Sequence, residues 1–191
     1  MKQVTRTTLG LAVLAMAGIA ATSSQDRESR AVDAAWTTIV LDVAMDGSTY
    51  VPNRVDPSGT ADVKGDWFVV KGKIYPGGTI PAGGTLEHPG AFDPRTASGS
   101  VGDWICRGVY IQDYLSGITP HVSTTQSFLF ENGAGVTSEG LEGGIVHRVI
   151  TGGYGQYRGL VGEAKEEGIG FNASGFDNVR FTFKVRKATG D

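Results

Sequence analysis

The chain is expected to be all-β, folded as an eight-stranded antiparallel β-barrel, and three features lead there. From Asp177 to Arg186 the residues alternate, with Val179, Phe181, Phe183 and Val185 on one parity and Asn178, Arg180, Thr182, Lys184 and Arg186 on the other. That is a strand with one wet face. Glycine is frequent, 29 of 191 residues, while aromatic residues make up only 9%, a balance that suits many turns between short strands. Beyond residue 21 no segment keeps a 3.6-residue apolar period over three turns. Eight strand-like runs joined by hairpins favour closure, because a closed cylinder has no free edge and leaves an interior able to hold one small ligand.

Taken in order, the first 21 residues differ from everything after them. Lys2 and Arg6 precede the apolar run Leu9 to Ala21, with Gly18, Ala20 and Ala21 placed for cleavage, the pattern of a secretory signal peptide. The run is shorter than the about 20 apolar residues of a spanning helix, so no stable membrane insertion is expected after cleavage. Localisation is expected to be secreted or periplasmic. Residues 22–35 are small and polar and read as a flexible leader, leaving 36–191 as a single barrel domain. Taking Lys2 and Arg6 from the 17 basic residues leaves 15 against 20 acidic ones, a formal charge of −5. Such a surface repels phosphate backbones, and nucleic acid is excluded as a partner.

Within the domain, Trp36 to Ala44 is β-branched and forms the first strand. Met45 to Gly65, broken by Gly47, Pro52, Pro57 and Gly59, reads as a long loop or a partly ordered excursion. Asp66 to Tyr75 is the second strand. Pro76 to Ser100 holds four prolines among glycines, which rules out a central strand and makes the segment either a surface insertion or a lid. Asp103 to Gln112, Thr124 to Glu131, Val136 to Glu142, Ile145 to Ile150, Leu160 to Ile169 and Asp177 to Arg186 complete the eight. Between the sixth and seventh strands, Ile150-Thr151-Gly152-Gly153-Tyr154-Gly155-Gln156-Tyr157-Arg158-Gly159-Leu160-Val161-Gly162-Glu163-Ala164 is a glycine-punctuated reversal. Its glycine spacing is too long for a dinucleotide loop, and no helix follows it.

Period two puts Trp104, Cys106, Gly108 and Tyr110 on one face of the third strand and Ile105, Arg107, Val109 and Ile111 on the other, and either face can be the inner one. If the first is inside, it offers aromatic walls at Trp104 and Tyr110 and a thiol at Cys106, the profile of an apolar ligand cavity; otherwise Cys106 is a small buried hydrophobe. Cys106 is the only cysteine, so the fold has no internal disulfide to rest on. Asp42 lies within an apolar strand, where a carboxylate is either solvated or kept for a purpose. His147, in phase with Ile145 and Val149, is a candidate acid, base or ligand contact, or else a structural histidine. His88 and His121 neighbour prolines, and the three histidines lack metal spacing, so no metal site is expected. No G-x-S-x-G elbow occurs. Asn172-Ala173-Ser174 matches a glycosylation sequon.

The reversal ITGGYGQYRGLVGEA resembles the GG-x-G-x-[FY] hairpin of allene oxide cyclases and dirigent proteins, and the similarity runs from about Trp36 to Val185. The resemblance implies one small antiparallel barrel, a bacterial-type secreted member of that superfamily, and a homo-oligomer. It also implies an acid at Asp42 and, in the Trp104-Ile105-Cys106 context, a cysteine lining the cavity. Ala44 stands where the cyclases carry asparagine, a departure that counts against the allene oxide reaction itself and leaves a dirigent-like acid. The function expected is binding of a small, apolar, unsaturated molecule and guidance of its stereoselective cyclisation or coupling. Asp42 and Cys106 would be catalytic, Trp104, Tyr110 and His147 would contact the ligand, and no cofactor would be required. The alternatives are a lipocalin-like carrier of a hydrophobic compound and a barrel packed solid with side chains.

Overall fold

Eight strands in chain order, each hydrogen-bonded to the next and the last to the first, make a closed antiparallel barrel. The computed structural model describes residues 35–143 and 146–188. The expected signal peptide and nearly all of the leader lie outside the described residues, as does Ile145. The strands are β1 (Thr37–Asn53), β2 (Trp67–Pro76), β3 (Gly102–Tyr110), β4 (Val122–Phe130), β5 (Gly135–Glu142), β6 (Val146–Tyr154), β7 (Leu160–Phe171) and β8 (Asp177–Lys187). Single 3-10 turns at Tyr114–Ser116 and Gly155–Tyr157 are the helical elements among the described residues.

Closure is made by β1 and β8, whose register runs from Thr37 opposite Val185 to Ala44 opposite Asn178. Once the sheet closes, period two becomes a distinction between inside and outside. Leu41 and Val43 of β1 and Val179, Phe181, Phe183 and Val185 of β8 point inward and are buried with Val70, Ile74, Trp104 and Phe128. The rings of Phe128 and Phe181 meet edge to face at 5.1 Å, an arrangement aromatic quadrupoles favour. The glycine reversal is a hairpin between β6 and β7. Gly155 and Gly159 take positive φ in it, and Tyr157 folds back onto Phe130 at 5.1 Å, so the turn also closes one end of the barrel.

One connection differs from expectation. Met45 to Asn53 is not loop: β1 continues through it, with an irregularity in its pairing to β2 between Asp46 and Val51. Gly47 permits this, because a Cβ there would strike the Phe176 ring and the Ser174 carbonyl. The excursion from Arg54 to Asp66 is tied down by the buried Asp66 carboxylate, which accepts from the backbone N–H groups of Val55 at 2.6 Å and Val63 at 3.0 Å.

The proline-rich segment 76–100 packs on the outer wall and contributes no residue to the luminal cavity. Ile80 and Tyr75 form a second small core with Ala44, joined by Phe92, Ala97 and Ile169. Backbone bonds from Gly83 to Ile169 and from Gly90 to Phe171, both 2.8 Å, strap the segment to β7. Asn172 of the sequon is fully buried. Its Nδ2 donates to the Met45 carbonyl at 2.8 Å and to Asn178 Oδ1 at 3.1 Å, so this amide ties the β7–β8 turn to β1.

Asp42 holds the outer layer together. It sits directly opposite Arg180 across the closing seam, and its carboxylate accepts from Arg180 Nε at 2.8 Å and Nη2 at 3.1 Å. The same group accepts from the N–H groups of Gly78 at 2.8 Å and Ile80 at 3.0 Å. Burial pushes its pKa up, but the Arg180 bonds and charge and the two N–H donors outweigh that and leave it below the ordinary value. Its contribution is therefore present at neutral pH and lost only as the pH falls through that lowered pKa. Asp42→Ala strands two backbone donors and an arginine, so urea unfolding should show a loss of roughly 2–4 kcal/mol. The exposed Lys165→Ala should stay within about 0.5 kcal/mol of the parent.

Candidate functional site

The inner face of β3 carries Trp104, Cys106, Gly108 and Tyr110, every one of them buried. The neighbouring β2 supplies Phe68 and Val70, the far part of β1 supplies Met45 and Tyr50, and the turn into β8 brings Phe176 and Asp177 alongside. Together with Asp62, Tyr114, His121, Val122 and Glu142 they enclose a cavity of about 500 Å³, within the usual range for a small-molecule site. Gly108 matters here, because a Cβ at that position would run into the Phe68 ring at 2.6 Å. Toward the opposite end the lumen is packed with apolar side chains, and a separate cleft of about 330 Å³ opens beyond them against Ile39, Tyr157, Leu160 and Val185. Within the packed part Ile39, Leu41, Phe130, Val136, Tyr157, Leu160, Phe183 and Val185 leave a void of about 20 Å³, too little for an organic ligand.

Between the hollow and the packed parts lies a cluster of buried polar groups. Arg148 of β6 is 1% exposed, and its guanidinium donates to Ser138 Oγ at 3.1 Å, the Thr124 carbonyl at 3.1 Å and Thr124 Oγ1 at 2.8 Å. Its Nη1 also reaches Glu142 Oε1 at 3.1 Å and Glu166 Oε2 at 3.3 Å. Gln126 bridges the same two carboxylates, donating to Glu142 at 2.9 Å and Glu166 at 3.1 Å, while its carbonyl accepts from Trp104 Nε1 at 3.4 Å. Every bonded atom is thus satisfied, as a buried network requires. One guanidinium cannot neutralise two carboxylates in a poorly solvated site. Burial, followed by the charge of Glu142, pushes Glu166 up to about 7 despite Arg148 and Gln126.

At the mouth, Asp62 accepts from Tyr110 Oη at 3.0 Å and Tyr50 Oη at 3.4 Å, with Arg54 Nη2 at 3.3 Å. Burial above all raises the Tyr110 phenol far beyond its usual range, so it remains a neutral donor. His121 stands against Tyr114, edge to face at 5.1 Å.

The structure brings three of the five sequence-predicted residues into the lumen and leaves two outside. Trp104, Cys106 and Tyr110 line the cavity. The Cys106 thiol is raised well above its ordinary pKa by burial and then by the charge of Glu142, so it stands as a neutral apolar wall and not as a thiolate. Asp42 is on the opposite side of the wall, under segment 76–100, which corrects the expectation of a luminal acid: all four of its bonds are structural. His147 also points outward, 65% exposed beside Glu163 at 3.8 Å, which corrects the expectation of a ligand contact. The phase of β6 is set by Val146, Arg148 and Ile150, the inward residues.

Sequence reasoning passed over Arg148, Glu142, Glu166 and Gln126. The available signal was parity, since each lies an even number of residues from apolar positions of its own strand: Arg148 from Val146 and Ile150, Gln126 from Val122 and Phe128, Glu142 from Val136, Glu166 from Ala164.

A pH effect follows from Glu166. A carboxyl with its folded-state pKa raised from 4.5 to about 7 contributes stability that is present below about 4.5 and lost as the pH rises through about 7. Facing it are Glu142, Arg148, Gln126 and, less directly, Cys106. Glu166→Gln should therefore remove most of the fall in unfolding free energy between pH 5 and pH 8 that the parent shows by urea titration.

No protein-family model matches the chain, and no curated protein matches it by sequence. Among solved structures, the pterocarpan synthase dirigent protein PsPTS1 superposes with a TM-score of 0.57 at 16% identity, covering 82% of this chain and 97% of that one. The pterocarpan synthase dirigent protein GePTS1 gives 0.56 at 13% identity, with 81% and 92% covered. The Diels Alderase AbmU of Streptomyces koyangensis gives 0.49 at 11% identity, with 84% and 72% covered. Distant as it is in sequence, the chain has the closed eight-stranded barrel fold of the dirigent proteins.

Proposed function

We propose that the chain is an extracytoplasmic barrel that binds a small, largely apolar, unsaturated molecule in the open half of its lumen and steers its cyclisation or coupling. The observation that carries this reading is a cavity of about 500 Å³ with aromatic walls that ends on a buried carboxylate–guanidinium cluster. Export rests on the residue pattern of 1–21.

The walls would hold a flexible chain near one reactive geometry, and orientation of that kind can lower a barrier by about 7–11 kcal/mol. Glu142 reaches the cavity and is joined to Glu166 through Arg148 and Gln126. A proton held by this pair would pass to an epoxide or carbonyl oxygen, the ring would close, and a proton lost from the product would restore the pair. The step is an isomerisation with no net proton consumed. A second reading, a carrier that leaves its cargo unchanged, is favoured by the bonds Glu142 Oε1 already accepts from Thr124, Gln126 and Arg148.

To test this, the purified chain is mixed with an unsaturated epoxide, a quinone methide and a polyene, and the product is resolved by chiral chromatography. One class should give an enantiomeric excess, and Glu142→Gln should slow that reaction by about 10²–10⁴. Racemic product with measurable uptake favours the carrier, and no uptake of any compound refutes both.

A further inference from the structure

The charge of the cavity is one-sided. The acidic side chains that line it are Asp62, Glu142 and Asp177, and the other ionisable groups in its lining are the Cys106 thiol, the phenols of Tyr50, Tyr110 and Tyr114, and His121. Asp62 has Arg54 as partner at 3.3 Å. Glu142 shares Arg148 with Glu166, at 3.1 and 3.3 Å. Asp177 has no ion-pair partner among the described residues. Arg148, fully buried behind the floor, spends its donors on Ser138, Thr124 and the two glutamates.

The walls between these carboxylates are aromatic faces, with Tyr50 set 5.6 Å from Phe68 and 5.4 Å from Phe176. The Cys106 thiol, 2% exposed, also borders the space and donates no hydrogen bond among the described residues. A cavity of this composition repels a carboxylate or phosphate, because a like charge in a poorly solvated site is strongly disfavoured. It attracts a cation twice over, through the carboxylates and through the negative faces of the rings.

We infer that the ligand is an organic cation, an aromatic or polyene body carrying a protonated amine or a quaternary nitrogen. The positive group lies between Glu142 and Asp177, and the apolar body lies along Phe68, Trp104 and Phe176. The inference rests on the reading of the cavity as a ligand site and narrows it to one charge class. Burial, more than the charge of Glu142, raises the Asp177 carboxyl, and a bound cation would draw it back toward the ionised form.

Three fluorescent probes of one shape separate the cases: 1-pyrenemethylamine, 1-pyrenemethanol and 1-pyrenecarboxylate, titrated into the full chain at pH 7.5 and read by fluorescence anisotropy. The amine should bind about ten-fold or more tighter than the alcohol, with the carboxylate weakest. Asp177→Asn and Glu142→Gln, each shown folded by circular dichroism, should reduce the amine-to-alcohol ratio to about three or less. Alcohol or carboxylate binding as tight as the amine would overturn the charge assignment and leave the ligand-site reading standing. If the amine is preferred but both variants keep the full ratio, the assignment to these two carboxylates is wrong. Failure of all three probes to bind would remove the cavity reading itself.

Discussion

The seam between β1 and β8 is the constraint on which everything else depends. Neither strand has another neighbour on that side, so without their ladder the sheet would have two open edges and the inward residues of all eight strands would face water. Closure converts a two-residue alternation into a sealed interior. It also explains the position of Asp42 and Arg180: a cross-strand pair on the outer face of the seam adds to the ladder, and the same carboxylate anchors the segment that covers that face. A residue that looks like a misplaced charge in an apolar strand is part of what keeps the wall shut.

Inside, closure imposes a second condition. Arg148, Gln126, Thr124 and Ser138 on the inner face are buried from water, so they and the two glutamates satisfy one another. Such a network replaces hydrophobic packing that would be at least as stabilising. Its place at the border of the hollow half, with Glu142 reaching the cavity, is the reason to connect it with chemistry and not with stability alone. The neutral Cys106 and Tyr110 on the adjacent strand leave the ionisation of the floor to the carboxylates.

Strand count, strand order and the hairpin between β6 and β7 were legible because each depends on local pattern: parity, β-branching and glycine. The inner face of β8 could be read directly, since Val179 to Val185 alternates without interruption. Elsewhere the local signal misled. Pro52 and Gly47 look like breakers, yet β1 takes Gly47 into an irregularity in its pairing to β2 and carries Pro52 in regular register opposite Phe68. His147 is in phase with the apolar Val149, but Val149 is 62% exposed, and the inward phase includes an arginine that no hydrophobicity rule selects. The role of Asp42 depends on residues 36, 38 and 138 positions away in the chain, a distance over which sequence pattern carries no information. The luminal cluster was hidden for the same reason: its four key side chains come from β4, β5, β6 and β7 and meet only when the cylinder is formed.

The plug of Tyr157, Phe130 and Phe183 turns the lumen into a cul-de-sac. Whatever enters must go in one end first and leave by the same doorway, so a guest cannot thread through and cannot be overtaken by the next. Each occupant therefore arrives with a head and a tail already assigned, and the orientation of a bound molecule is decided on entry, before any wall contact selects among its conformations. A second copy would have to wait for the first to back out, because entry and departure share the doorway beside Tyr114 and His121.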